Sequence, residues 1–174
     1  MNIYKFFLIL IFSLAASLLF ACKKLKETYP VEPEIEFKSF FAYDKYNALV
    51  VYKFTDGDGD IGLKPEDTIG DFNKNSIYYY NLYIKTYYKN SQGVFKDTLI
   101  FDTQTNKIDS GLIRQRIQFI ENTTKDSYLR GEIQISLNGY RQSINHKIVK
   151  YKIYMYDRAK NKSNVIETPE LVVP

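Results

Sequence analysis

Apolar and polar residues alternate with a period of two along most of this chain. GEIQISLN at 131–138 sets Ile133, Ile135 and Leu137 against Glu132, Gln134 and Ser136. KIVKYKIYMYD at 147–157 repeats the pattern, with Val149, Tyr151, Ile153 and Met155 on the apolar side. Successive side chains of a strand point to opposite faces, so this alternation predicts strands with one face on a core and one in water. NALVVYKF at 47–54 is a compact apolar run and predicts a buried strand. A long strand is predicted over 77–89, with Tyr78, Tyr80, Leu82, Ile84 and Tyr88 on one face. Its other face would carry Tyr79, Asn81, Tyr83, Lys85 and Tyr87. Shorter strands are predicted at 34–41, 93–102, 113–120 and 164–173. Strands of this kind predict an all-β fold of antiparallel sheets packed as a two-layer sandwich, with a small closed barrel as the alternative.

The N-terminal residues break the pattern. Lys5 is the only charged side chain before a run from Phe6 to Phe20 that carries no charge. A basic start, an apolar stretch of this length and small Ala21 before a cysteine have the build of a secretory signal. Leu19-Phe20-Ala21-Cys22 resembles the lipobox of bacterial lipoproteins. The resemblance implies that residues 1–21 are removed, that the Cys22 thiol receives a diacylglyceryl group, and that the new amino terminus is acylated. Two or more acyl chains give stable anchoring. An uncleaved anchor is the alternative, since about 17–25 apolar residues span a bilayer. Residues 22–34, charged and carrying Pro30 and Pro33, are expected to tether a domain over 35–174. A dozen extended residues reach about 40 Å.

Composition narrows this further. Cys22 is the one cysteine, so no disulfide supports the domain. Tyr 16 and Phe 12 favour strands, and Gly 8 with Pro 5 argues against low complexity. The net charge of +4 comes from dispersed lysines and arginines on polar strand faces, which does not suggest nucleic-acid binding.

YKIYMYDRAKNKSNVIETPELVV, beginning at Tyr151, resembles the last two strands of bacterial immunoglobulin-like domains. In those domains a strand ends in Asp-Arg-Ala-Gly-Asn; here Lys160 replaces the glycine of Asp157-Arg158-Ala159-Lys160-Asn161. The resemblance implies a single immunoglobulin or fibronectin-III-like sandwich. With the lipobox and the DGDGDIG loop at 56–62, the whole is similar to small outer-membrane lipoproteins of the Bacteroidota type. Such lipoproteins usually carry acidic residues after the cysteine when sent to the cell surface. Lys23, Lys24 and Lys26 depart from that and favour the periplasmic face.

FTDGDGDIGL at 54–63 crowds Asp56, Asp58 and Asp60 into a glycine-permitted loop. Calcium takes six to eight oxygens from carboxylates, carbonyls and water. The three aspartates match the first three ligand positions of an EF-hand loop, and the Gly62 carbonyl could add an oxygen. The twelfth position from Asp56 is Asp67, beside Glu66. Ile61 stands where an EF-hand has glycine, and no helices flank the segment, so a calcium-loop analogue on a β scaffold is expected. An ordinary exposed acidic turn is the alternative. About 22 residues separate Phe54 from Ile77, longer than most structureless loops, and a cation would supply order. If 47–54 is strand B and 147–157 is strand F, their loops share one end of the sandwich. Asp157 and Asn161 then become candidates for further oxygens.

Catalytic chemistry has few groups to use. His146 is the only imidazole and is expected as a surface polar residue; no Cys-His pair, His-based triad or Cys/His zinc site can form. A hydrolase using two carboxylates has no local pattern to nominate it, and a non-enzyme is expected. Tyr79, Tyr83 and Tyr87 would share an outward face with Tyr154 and Tyr156, interleaved with Lys85, Lys150 and Lys152. Such a face could meet a protein partner or stack on a glycan. The plainer expectation is cross-strand aromatic pairing. The function expected from all of this is a lipid-anchored, calcium-stabilised binding or structural accessory to an outer-membrane partner, with glycan binding as the alternative.

Overall fold

A computed structural model describes residues 3–4, 28–102, 106–122, 127–139, 143 and 145–174. The apolar run 6–20 expected as the heart of a signal peptide, Leu19–Cys22 and the lysines Lys23, Lys24 and Lys26 of the expected tether fall outside the described residues. Among the described residues no helix is long and apolar enough to cross a membrane.

The described chain is all-β. Its strands are β1 (Glu34–Ala42), β2 (Asn47–Asp56), β3 (Leu82–Lys89), β4 (Phe95–Asp97), β5 (Leu99–Asp102), β6 (Lys107–Ser110), β7 (Leu112–Gln115), β8 (Leu129–Asn138), β9 (Ile148–Met155), β10 (Ile166–Glu167) and β11 (Leu171–Val172). One sheet has the order β1-β2-β8. The second runs β10-β9-β3-β4, with β11 also on β9 and β7 also on β3. β5 and β6 form a separate two-stranded ribbon. All these strand pairings are antiparallel.

The two larger sheets pack face to face because their alternating apolar stripes must both leave water. β2 supplies Ala48, Val50, Tyr52 and Phe54, and β8 supplies Ile135 and Leu137. From the other layer come Leu82 and Ile84 of β3 and Val149, Tyr151, Ile153 and Met155 of β9. Each fully buried aliphatic or aromatic side chain of this kind contributes about 1.5–3 kcal/mol. A bulge between Phe37 and Ser39 shifts the register of β1 against β2, so the alternation on that edge is imperfect.

Several strands are shorter than the apolar pattern predicts. The long strand predicted over 77–89 starts only at Leu82. Ser76 turns the chain before it, accepting the Tyr79 N–H on its carbonyl and the Tyr78 N–H on its hydroxyl. The predicted strand at 93–102 divides at Thr98, which is buried and donates both its N–H and its hydroxyl to the Thr86 carbonyl. The C-terminal strand divides into β10 and β11 around Pro169, which has no N–H for a ladder.

Candidate metal centre

The same alternation that builds the core places two carboxyl groups inside it. On β2 the inward positions are Ala48, Val50, Tyr52 and Phe54, and the next one is Asp56, fully buried at 0% exposure. On β9 the inward series Val149, Tyr151, Ile153 and Met155 continues to Asp157, 1% exposed. β2 and β9 belong to opposite sheets, and both series run out at the same end of the sandwich. Asp58 and Asp60, on the turn that follows β2, complete the group: one is exposed and the other half-buried. One carboxylate oxygen from each of Asp56, Asp58, Asp60 and Asp157 lies within 4.8 Å of the other three, close enough for the cluster to hold a metal ion.

Backbone donors hold part of this cluster. Asp60 N–H donates to Asp56 Oδ2 at 2.8 Å. The Ala159 N–H donates to Asp60 Oδ2 at 2.8 Å, and the Arg158 N–H to the Asp60 carbonyl. Asn161 donates its N–H to Asp157 Oδ1 at 2.7 Å and its Nδ2 to Asp157 Oδ2 at 2.8 Å. Asn161 thus orients an aspartate of the cluster. Lys160, at the site of the glycine in the similar motif, takes a left-handed φ of 75° and closes the same turn. Two buried oxygens are left over: Asp56 Oδ1 and Asp60 Oδ1 have no hydrogen-bond partner. A buried acceptor without a donor is costly, and a charged one more so.

The electrostatics run the same way. Two unit charges 4.8 Å apart repel by about 3 kcal/mol at an effective dielectric of about 20. Burial pushes the Asp56 carboxyl up to about 7, with the charges of Asp58, then Asp60 and Asp157, adding to it; the Asp60 N–H opposes the rise. Burial also raises Asp157 to about 6, against the two hydrogen bonds from Asn161 and with help from Asp60 and Asp58. Asp60 is raised by burial and by Asp58, and lowered by the Ala159 and Arg158 backbone donors and the Arg158 charge. Groups this expensive to ionise beside one another are the sort that a divalent cation relieves.

Of the other expected ligands, Asp67 has different partners, and Gly62 is fixed by its backbone. Asp67 is not among the four. Its Oδ2 accepts from the Lys64 N–H at 2.8 Å, and its Oδ1 pairs with Arg158 Nη2 at 3.0 Å. Gly62 sits at φ 95° with its α-carbon against the backbone of Gln118, where a Cβ would overlap the Gln118 carbonyl. That approach accounts for the glycine, because only glycine takes this φ without strain.

The long segment after β2 is also better ordered than its composition suggested. Ile61 and Leu63 are buried, and Leu63 forms an isolated parallel bridge with Gln118. Arg116 reaches three carbonyls, those of Tyr79, Lys64 and Asp67. Asn81 accepts from the Ile117 N–H at 2.6 Å and donates to the Ile117 carbonyl at 3.2 Å. A cation is therefore not the sole source of order, contrary to the expectation from loop length. Arg116 and Asn81 carry no sequence signal of this role, because each lies within a predicted strand.

The tyrosines meet one another. Tyr83 and Tyr154 are cross-strand neighbours with rings stacked 5.1 Å apart, and Tyr156 stands edge-on to both. Tyr87 lies under the ammonium groups of Lys85 and Lys152. Tyr79 precedes β3 and packs instead against Tyr80 and Arg116. Tyr83 is buried and the other four are half-buried, so the group forms no exposed platform. His146 is stacked on Tyr88, with ring centroids 3.8 Å apart.

Comparison with family models, with curated proteins and with solved structures finds no match to this chain. What defines it is a two-sheet β domain with a four-aspartate cluster at one pole.

Proposed function

We propose that this chain is a lipid-anchored envelope protein whose β-sandwich is stiffened at one pole by a calcium ion bound to Asp56, Asp58, Asp60 and Asp157. It serves as a non-enzymatic binding or structural accessory to an outer-membrane partner on the periplasmic side. The observation that carries the calcium reading is Asp56: fully buried, with Oδ1 lacking any donor and three further carboxylates within 4.8 Å. Two oxygens opposite each other across an ion at about 2.4 Å lie about 4.8 Å apart, so the four fit within one calcium shell. Exposed Asp58 leaves a side of the site open to water, which would supply the remaining oxygens. The strand orders β1-β2-β8 and β10-β9-β3 match the A-B-E and G-F-C orders of immunoglobulin-type sandwiches, which supports that finer description. The lipobox supports anchoring through Cys22. The half-buried tyrosines give glycan stacking no support.

The test is thermal unfolding of the full chain in detergent, in millimolar calcium and in chelator. An ion at about 100 times its Kd adds about 2.7 kcal/mol, which in a domain of this size corresponds to roughly 5–15 °C. No shift in a folded sample ends the calcium reading. Mass spectrometry of the N-terminal peptide, with Cys22→Ala as control, tests the anchor.

A further inference from the structure

The N-terminal segment entering β1 does not hang free of the acidic loop. The Gly57 N–H, in the peptide joining Asp56 to the rest of the loop, donates to the Pro30 carbonyl at 2.8 Å. A Cβ on Gly57 would overlap the carbonyl oxygens of both Tyr29 and Pro30, so the segment lies directly on the loop backbone. Side-chain contacts hold it as well: the Tyr29 ring packs 5.0 Å from Tyr128, and Arg130 Nη1 donates to the Tyr29 hydroxyl at 3.3 Å. A groove of about 780 Å3 opens beside them, lined by Tyr29, Thr55, Arg130 and Asn164. One of the contacts that hold the segment therefore lies between two aspartates of the cluster.

We propose that a cation in the aspartate cluster clasps the root of the N-terminal segment, residues 29–30, against the domain, and that its loss releases it. This rests on the calcium reading above and adds a regulatory consequence. Without a cation, the charges of Asp56, Asp58, Asp60 and Asp157 push the loop open, and the donor on Gly57 moves off the Pro30 carbonyl. With a cation, the Asp56–Asp60 turn is closed and presents that donor in place. Binding at the cluster and docking of the root are then linked, so each strengthens the other by the same factor.

The experiment measures hydrogen–deuterium exchange of the full chain in detergent, with calcium and with chelator, alongside calcium titration calorimetry. In wild type, calcium is expected to slow exchange at residues 28–36 and at Gly57 at least fivefold. Tyr29→Ala, which removes the ring and hydroxyl contacts without touching the loop, is expected to weaken calcium binding about three- to tenfold while the fold is retained. Gly57→Ala is expected to speed exchange at 28–36 even in calcium. If calcium raises the melting temperature while exchange at 28–36 and the affinity of Tyr29→Ala stay unchanged, the clasp is overturned and the calcium site stands. If calcium produces neither heat nor a melting shift, both readings fall together.

Discussion

Replacing Asp56 by asparagine should stabilise the metal-free protein, a sign opposite to that of most substitutions at fully buried polar positions. Asp56 is 0% exposed and its carboxyl is pushed up to about 7, against an ordinary 3.8. A group with a raised folded value adds stability that is complete below its unfolded value and lost as pH rises through its folded value. At about pH 8 the whole penalty is present, and the interval corresponds to about 4 kcal/mol. Asparagine has the same shape and keeps an oxygen to accept the Asp60 N–H. Its amide nitrogen would stand where Oδ1 has no partner, facing carboxylate oxygens that can accept. Burying an amide retains some of the cost, so a gain of about 1–3 kcal/mol, or roughly 3–12 °C, is expected in chelator. In calcium the variant's advantage shrinks or reverses, because wild type gains the binding energy and the variant loses a ligand. The assay is thermal unfolding followed by circular dichroism under both conditions. Asp67→Asn is the control: it loses its ion pair with Arg158 and should lower stability alike in both conditions. An Asp56→Asn variant less stable than wild type in chelator would refute the account of Asp56 as an uncompensated buried charge.

Other consequences follow from the same geometry. In chelator, Asp56 and Asp157 together should make the protein lose stability as pH rises from about 4 to about 7, their folded values being about 7 and about 6. The calcium-induced rise in melting temperature should accordingly be small at about pH 5 and largest above about pH 7, since protons and the cation compete for the same oxygens. Arg116→Ala removes hydrogen bonds to three carbonyls and should cost about 2–4 kcal/mol, read as a lower denaturant midpoint with an unchanged calcium increment. Gly62→Ala forces a side chain into a left-handed backbone and onto Gln118; a loss of about 2 kcal/mol or more is expected, and an unchanged midpoint would contradict the close approach seen here.

The tyrosine face shows why a pattern of residues is an incomplete guide. Alternation placed Tyr83, Tyr87, Tyr154 and Tyr156 on one surface, which the structure retains, but it also placed Tyr79 there. Alternation holds only while the chain is extended, and the turn at Ser76–Tyr80 ends it before β3 begins. Whether those rings are available to a partner depends on the stacking of Tyr83 on Tyr154 across β3 and β9, which no single segment encodes.

Local sequence determined the elements whose cause is local. The period-two stripes of β2, β8 and β9 define which side chains leave water, and an all-β two-layer arrangement follows. The spacing of Asp56, Asp58 and Asp60 brings three carboxylates into one turn. Tertiary structure alone decided that Asp157 joins them while Asp67 turns to Arg158, and that Arg116, Asn81 and a bridge at Leu63 order the segment after β2. The physical reason is range. Alternation and turn chemistry act over a few residues of chain. Burial, repulsion between carboxylates and the reach of an arginine depend on which strand ends are brought to the same pole when two sheets close over a core.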